Sequence, residues 1–289
     1  MSPGSSRHPD GDNVTPPRPD RRRLGRGRIL VIQALIIAVF LLLWEYLPQY
    51  GPARNSFRFL DPFFISSPSK VAKNLRALAV GDNTVLIWPY FWASVKASIT
   101  GVFVGTFFGA LAGLVLSNSQ VLNAILRPFL VALNAVPRVA LIPVIVLICG
   151  PTQRSSVITA VLVIFFLVFF NAFEGGRSVP AEVVQNARLL GASRRDVLFR
   201  IRARYVLGWT FAALPNAVSF GFISVVTSEI LTGTRGLGRL IADSLSTIQP
   251  ALTFSVVFIL SAVGLVLTLG VEYLNRRLMH WWTQDDSAT

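Results

Sequence analysis

Apolar runs of about 20 residues, long enough to cross a bilayer as a helix, recur along this chain of 289 residues. The first is ILVIQALIIAVFLLLWEYL, Ile29 to Leu47, and others occupy roughly 91–116, 121–149, 156–173, 205–231 and 252–274. A backbone in hydrocarbon must satisfy its own N–H and C=O groups, and long unbroken apolar runs do so as helices. The expected fold is therefore all-α, a polytopic membrane protein with about six transmembrane helices. Composition agrees: 53% of residues are hydrophobic and 14% charged, against about 25% charged in a soluble domain. The run 121–149 differs from the rest because Pro128, Pro137, Arg138 and Pro143 interrupt it. Such a segment needs neighbouring helices to satisfy the freed backbone groups, which places it inside a bundle.

The net charge of +13 could suggest nucleic acid, but its distribution points elsewhere. Of the 27 basic residues 24 are arginine, and most lie in short segments between apolar runs. With the N-terminus inside, 17 basic residues fall on the inner side and 8 on the outer. That bias places both termini in the cytoplasm, and no nucleic-acid partner is expected. Residues 1–28, rich in Pro, Gly, Ser, Asp and Arg, read as a disordered cytoplasmic tail. Residues 29–47 form the first span, too long and too aromatic at its end for a cleaved signal. Residues 48–90 form an external segment, 91–281 a membrane core with a cytoplasmic loop at 174–204, and 282–289 a C-terminal tail. Within the external segment, ISSPSKVAKNLRAL has Ser67-Pro68 as a helix start, and Val71, Leu75 and Leu78 fall on one face. It reads as a short amphipathic helix on the outer surface or as plain loop packing.

Few residues offer chemistry. The single cysteine and two histidines, His8 and His280, leave no metal site and no disulfide framework. None of the three lysines follows a glycine, so the phosphate-cradling GxxxxGK[ST] loop is absent and no nucleotide cofactor is expected in this chain. The chain is not expected to be an enzyme, and ATP-driven work would need a partner. Gly101, Gly105, Gly109 and Gly113 place a glycine at every fourth position of the second span. That smooth stripe lets another backbone approach closely, within the bundle, at a subunit interface or along a pathway. Among the few charged groups within spans, Lys96, Arg138 and Glu229 stand out. Lys96 and Glu229 can snorkel from near the outer ends, while Arg138 and Glu229 are the candidate groups of a translocation pathway. A proton-driven carrier would carry carboxylates midway through its spans, and this chain has almost none.

The loop at 174–204 is the most informative segment. After Pro180 comes AEVVQNARLLGASRRDVLFRI, in which Val183, Val184, Ala187, Leu190, Val197, Leu198 and Ile201 repeat at helical spacing. Gly191 breaks the pattern at a helix end and Ser193 can cap the next helix. Two short amphipathic helices joined at Gly-Ala-Ser make a compact knob, suited to a protein partner or to an interfacial lipid site.

The spacing Gln185-Asn186-Ala187, three residues, then Gly191 resembles the EAA motif of importer-type ABC transporter permeases. The resemblance runs from about residue 60 to Trp281. ISSPSKV is similar to that family's external Pro-Ser segment, and Ser94 with the glycine stripe to its second span. Pro128, Pro137, Ala140, Pro143 and Gly150 resemble its proline-spaced third segment, Glu229 with Arg235-Gly236-Leu237-Gly238 its E-plus-GLG region, and EYLNRRLMHWW its C-terminal end. Within the superfamily the likeness is best to the branch importing taurine, aliphatic sulfonates, nitrate and thiamine-precursor pyrimidines. The resemblance implies a type I importer permease fold in a bacterial inner membrane. Implied partners are cytoplasmic ABC ATPase subunits, an extracytoplasmic solute-binding protein and a second permease subunit, in a homodimer or a heterodimer. It also implies that Gln185, Asn186, Ala187, Gly191, Ala192 and Ser193 form the surface coupled to the ATPase. The chain departs from the pattern in having Gln185 for Glu, Asn186 for Ala, and Arg204-Tyr205 where a Leu-Pro is usual. An ATP-independent carrier or channel is the competing reading.

Overall fold

The computed structural model describes residues 26–49, 65–81 and 86–279. The tails expected at 1–28 and 282–289 lie outside the described residues, apart from 26–28, which open the first helix. In chain order the elements are α1 (Arg26–Tyr46), α2 (Pro68–Val80), α3 (Trp88–Ser117), α4 (Gln120–Ala135), a 3-10 turn (Arg138–Leu141), α5 (Ile142–Cys149) and α6 (Gln153–Arg177). There follow α7 (Ala181–Leu189), α8 (Arg194–Asp196), a π turn (Val197–Arg202), α9 (Ala203–Thr232), α10 (Leu237–Ser246) and α11 (Pro250–Leu278). No strand occurs among the described residues. Five helical stretches among them are long and apolar enough to cross a membrane: 27–46, 88–117, 153–177, 194–232 and 250–278.

The expected third span does not form one helix, and its first part does not lie inside the bundle: no described side chain between residues 120 and 135 is buried. Between Gln120 and Gly150 the chain makes the 16-residue α4, a 3-10 turn and the 8-residue α5. Pro137 takes an extended conformation, with φ −65° and ψ 108°. Its lack of an N–H, with the ring constraint, makes this the natural break. Pro143 sits in the first turn of α5, where a missing N–H costs nothing.

The core is the triad of α3, α6 and α9, flanked by α10 and α11. All four stripe glycines of α3 are buried and face α6. A Cβ on Gly101 would lie 2.6 Å from Ala160 Cβ, and one on Gly113 would lie 2.6 Å from Ala172 Cβ and 2.8 Å from the Phe173 nitrogen. Only hydrogen fits there, so the two backbones approach closely and dispersion contacts run along the whole seam. The glycine stripe thus joins two helices of the same chain.

By contrast, α1 touches the bundle only at one end. Its side chains from Gly27 to Leu43 are exposed, and Trp44 stacks on Phe258 with ring centroids 5.9 Å apart. The next residue, Glu45, accepts from the Ser69 N–H at 3.0 Å and from its hydroxyl at 2.8 Å. A carboxylate from another helix therefore serves the free N–H groups at the start of α2. The short amphipathic helix is present as the spacing suggests, with Pro68 at its start and Val71 and Leu78 buried. Gly81 closes it in the left-handed conformation at φ +83°.

Candidate functional site

The bundle has two polar ends, and both carry matched motif residues. At one end, α6 finishes in Gly175-Gly176-Arg177 and the chain leaves as the knob. Helix α7 carries Gln185, Asn186 and Ala187, the first two exposed and Ala187 half-buried. Its end turns at Gly191, where φ is +86° and nothing lies within 4 Å of the place a Cβ would take. The glycine is therefore required by backbone conformation and not by crowding. Ala192 is half-buried, and Ser193 forms a reciprocal capping box with Asp196: the Asp196 N–H donates to Ser193 Oγ at 3.2 Å and the Ser193 N–H to Asp196 Oδ2 at 3.1 Å. The six residues expected to form the coupling surface thus occupy one continuous turn and its flanks. The second knob helix does not end there. It runs through a π turn directly into α9, so 194–232 is one unbroken helical stretch.

What keys this knob to the bundle was not read from the sequence. Arg202, half-buried, donates from Nη1 to the carbonyl of Ser117 at the last turn of α3. A cation there complements the negative end of that helix. Gly176 of α6 lies against Ser117, and Gly175 against Trp209 of α9, so closely that a Cβ on either would collide with those side chains. Val197 of the π turn and Val206 of α9 are each 2% exposed. Three helix ends and the knob base therefore form one packed joint. The signals were the Gly-Gly pair at a helix end and an arginine inside an apolar-period stretch.

At the other end, Glu229 is fully buried near the end of α9. Ser94 Oγ of α3 donates to its carboxylate, 2.8 Å from each oxygen, and the Gly238 N–H donates to Oε2 at 3.0 Å. The Leu237 N–H donates to Ser94 Oγ at 2.8 Å. Ser94 and Glu229 together satisfy the first N–H groups of α10, the role a capping side chain plays locally. Gly236 and Gly238 approach Glu229 so closely that a Cβ on either would overlap its side chain. Nearby, Ser156 donates to Ser228 Oγ at 3.3 Å, and Gln153 of α6 donates to the Arg235 carbonyl. The E-plus-GLG residues thus form a clasp joining α3, α6, α9 and α10.

Of the two residues considered for a translocation pathway, Glu229 does not reach the surface. Arg138 opens the 3-10 turn, and its side chain lies outside the described residues. Lys96 is exposed on α3. No group of three or more potential metal ligands occurs among the described residues.

The chain is 26% identical over 228 residues to the taurine transport system permease protein TauC of Escherichia coli, covering 78% of this chain and 83% of that one. It is 29% identical over 249 residues to the riboflavin transport system permease protein RibX of Chloroflexus aurantiacus, covering 86% and 90%. It is also 24% identical over 193 residues to the nitrate import permease protein NrtB of Leptolyngbya laminosa, covering 65% and 69%. The fold is similar to that of a chain of the MetNI methionine ABC transporter in an inward-facing conformation, with TM-score 0.56 and 13% identity, covering 64% of this chain and 93% of that chain. Residues 105–280, from Gly105 through the knob and Glu229 to the last helix, match the family model for binding-protein-dependent transport system inner membrane components, and the chain belongs to that family.

Proposed function

We propose that the chain is the permease subunit of an ATP-driven importer for a small polar or anionic solute, such as a sulfonate or nitrate, in a bacterial plasma membrane. Its partners are cytoplasmic ATPase subunits at the knob, a solute-binding protein at the α10 end and a second permease subunit. ATP is bound and hydrolysed in the ATPase partner. Both termini lie in the cytoplasm, a placement that the arginine bias supports.

The observation that carries this reading is the joint between knob and bundle. A lever must be stiff at its base, and Arg202, Ser117, Gly175 and Gly176 bring the knob base into contact with α3, α6 and α9 together. ATP-driven closure of the ATPases moves the knob, and the three helices move with it. The clasp holds α10 to the same helices at the far end, so the displacement biases the bundle between two arrangements open to opposite sides. The relatives named for taurine and nitrate support a small polar or anionic solute.

Affinity purification in mild detergent tests the proposal. An ATP-hydrolysing subunit that co-purifies, with uptake in proteoliposomes requiring ATP, is the expected result. A lone chain that moves solute down its gradient without ATP would support a carrier or channel instead.

A further inference from the structure

Helix α2 is fastened across the ends of two membrane-spanning helices. On one side Glu45 of α1 accepts from the Ser69 N–H and hydroxyl. On the other, Ser255 Oγ of α11 lies 3.3 Å from the Val71 carbonyl oxygen. Between α1 and α11 is a groove of about 560 Å³, lined by Phe40, Leu43, Trp44, Phe258 and Ser261 among others. Trp44 acts as its wedge: the ring lies 5.6 Å from that of Phe254 and 5.9 Å from that of Phe258, holding α1 off α11. Ile65, just before α2, and Phe254, beside Ser255, also line the groove, so the first turn of α2 stands at its mouth.

The exposed side of α2 is basic. Lys73 and Arg76 stand opposite the buried Val71 and Leu78, Lys70 flanks them at the first turn, and residues 68–80 contain no carboxylate. Neither Lys73 nor Arg76 pairs with a carboxylate among the described residues. Membrane orientation does not explain these cations, because on the orientation proposed above α2 lies outside, where basic residues are ordinarily sparse.

The groove lies between two spans, and of its lining residues Ser261 alone carries a hydroxyl. A further protein helix does not fit it. A helix about 10–12 Å across fills about 400–600 Å³ per turn, so the groove holds roughly one turn of a span that needs about 20 residues. A lipid acyl chain is thin enough to enter. We propose that α2 and the groove form a binding site for an anionic phospholipid, with an acyl chain in the groove and the phosphate held by Lys70, Lys73 and Arg76. Long basic side chains on an interfacial helix reach the headgroup level in this way, and each cation there favours an anionic lipid. The site goes beyond the import reading and does not depend on it.

The test is native mass spectrometry of the delipidated full-length chain, titrated with phosphatidylglycerol or with phosphatidylcholine of identical acyl chains. Phosphatidylglycerol is expected to bind at least about tenfold more tightly. Lys70→Gln/Lys73→Gln/Arg76→Gln should cut that preference to under about twofold, while Arg276→Gln/Arg277→Gln at the other end of α11 should leave it intact. Ser261→Trp, which fills the groove from an exposed position, should weaken binding of both lipids. Size-exclusion profiles check that each variant remains folded. As a second readout, phosphatidylglycerol brominated along its acyl chains should quench the fluorescence of the wild-type chain, and Trp44→Phe should reduce that quenching. Equal affinity for the two lipids overturns the proposal, as does a preference that survives the triple substitution; if that variant instead loses affinity for a solute-binding protein, the cations serve that partner. Displacement of the lipid by inorganic phosphate alone would make them a site for a free anion and also overturn it. Lipid binding unchanged in Ser261→Trp removes the groove from the site, and a loss of dimer mass in the same variant would assign the groove to a second copy of the chain.

Discussion

Arg202 of the π turn donates to the main-chain carbonyl of Ser117, joining the base of the knob to the last turn of α3. The two residues are 85 positions apart in sequence. This bond and the close approach of Gly176 tie the knob to α3, the helix of the joint with which it is not contiguous in sequence.

Arg202→Met should therefore spare ATPase binding but weaken its conversion into transport. The methionine keeps much of the packing while removing the charge-assisted bond, whose loss costs about 1.5–3 kcal/mol. Solute uptake per ATP hydrolysed in proteoliposomes is expected to fall at least about fivefold, with co-purification of the ATPase retained. Unchanged stoichiometry would show that the joint does not transmit the motion.

At the opposite end, Ser94→Ala removes a donor to Glu229 and the acceptor of the Leu237 N–H at once. A buried group left unsatisfied costs about 1–3 kcal/mol, and thermal unfolding in detergent should shift down accordingly. Glu229→Gln should be milder, because an amide oxygen can still accept from Gly238. A double-mutant cycle across the two sites should show coupling of at least about 0.5 kcal/mol; additive losses would mean that the clasp is not a unit.

The α3–α6 seam makes a steric prediction with an internal control. Gly105→Ala would bring a Cβ within 2.8 Å of Ile164 Cβ and 3.0 Å of the Val161 carbonyl oxygen. Overpacking of this kind costs about 1–3 kcal/mol. Gly270→Ala on α11 meets nothing within 4 Å, so it should be neutral or stabilise by about 0.5–1 kcal/mol through helix propensity. Equal effects of the two in thermal unfolding would rule out close helix approach as the reason for the stripe.

Orientation is open to a labelling experiment, because Cys149 is the single cysteine. In a Cys149→Ser background, Leu245→Cys on α10 should react with an impermeant maleimide in intact spheroplasts. Phe199→Cys in the knob region should react only after permeabilisation. The reverse pattern would invert the topology.

Much of this architecture was legible because lipid permits so few backbone solutions. Long apolar runs, a proline-led amphipathic helix at Pro68 and a glycine turn at Gly191 are local signals, and the corresponding elements are present. What was not legible depends on residues distant in sequence. Glu229 read as an ionisable group near a span end, yet it is buried with Ser94, 135 positions away, against the start of α10. Arg202 was one of six arginines between 185 and 205, and nothing local distinguishes the one that faces Ser117. The prolines of 121–149 were visible, but whether they kink one helix or divide it depends on backbone angles that the residues alone do not set.

The claim that the knob couples ATP hydrolysis to transport is tested most directly at Gly191. Its surroundings are open and its φ is +86°, a conformation that asparagine tolerates and other side chains adopt at a cost of about 1–2 kcal/mol. Gly191→Asn should thus preserve the turn, while Gly191→Trp puts bulk at a position where none of the described residues comes within 4 Å of a Cβ and a docked partner would meet it. The measurement is ATPase activity stimulated by the solute-binding protein in proteoliposomes. The account predicts near-normal stimulation for Gly191→Asn and a loss of at least about tenfold for Gly191→Trp; normal stimulation in Gly191→Trp would contradict it.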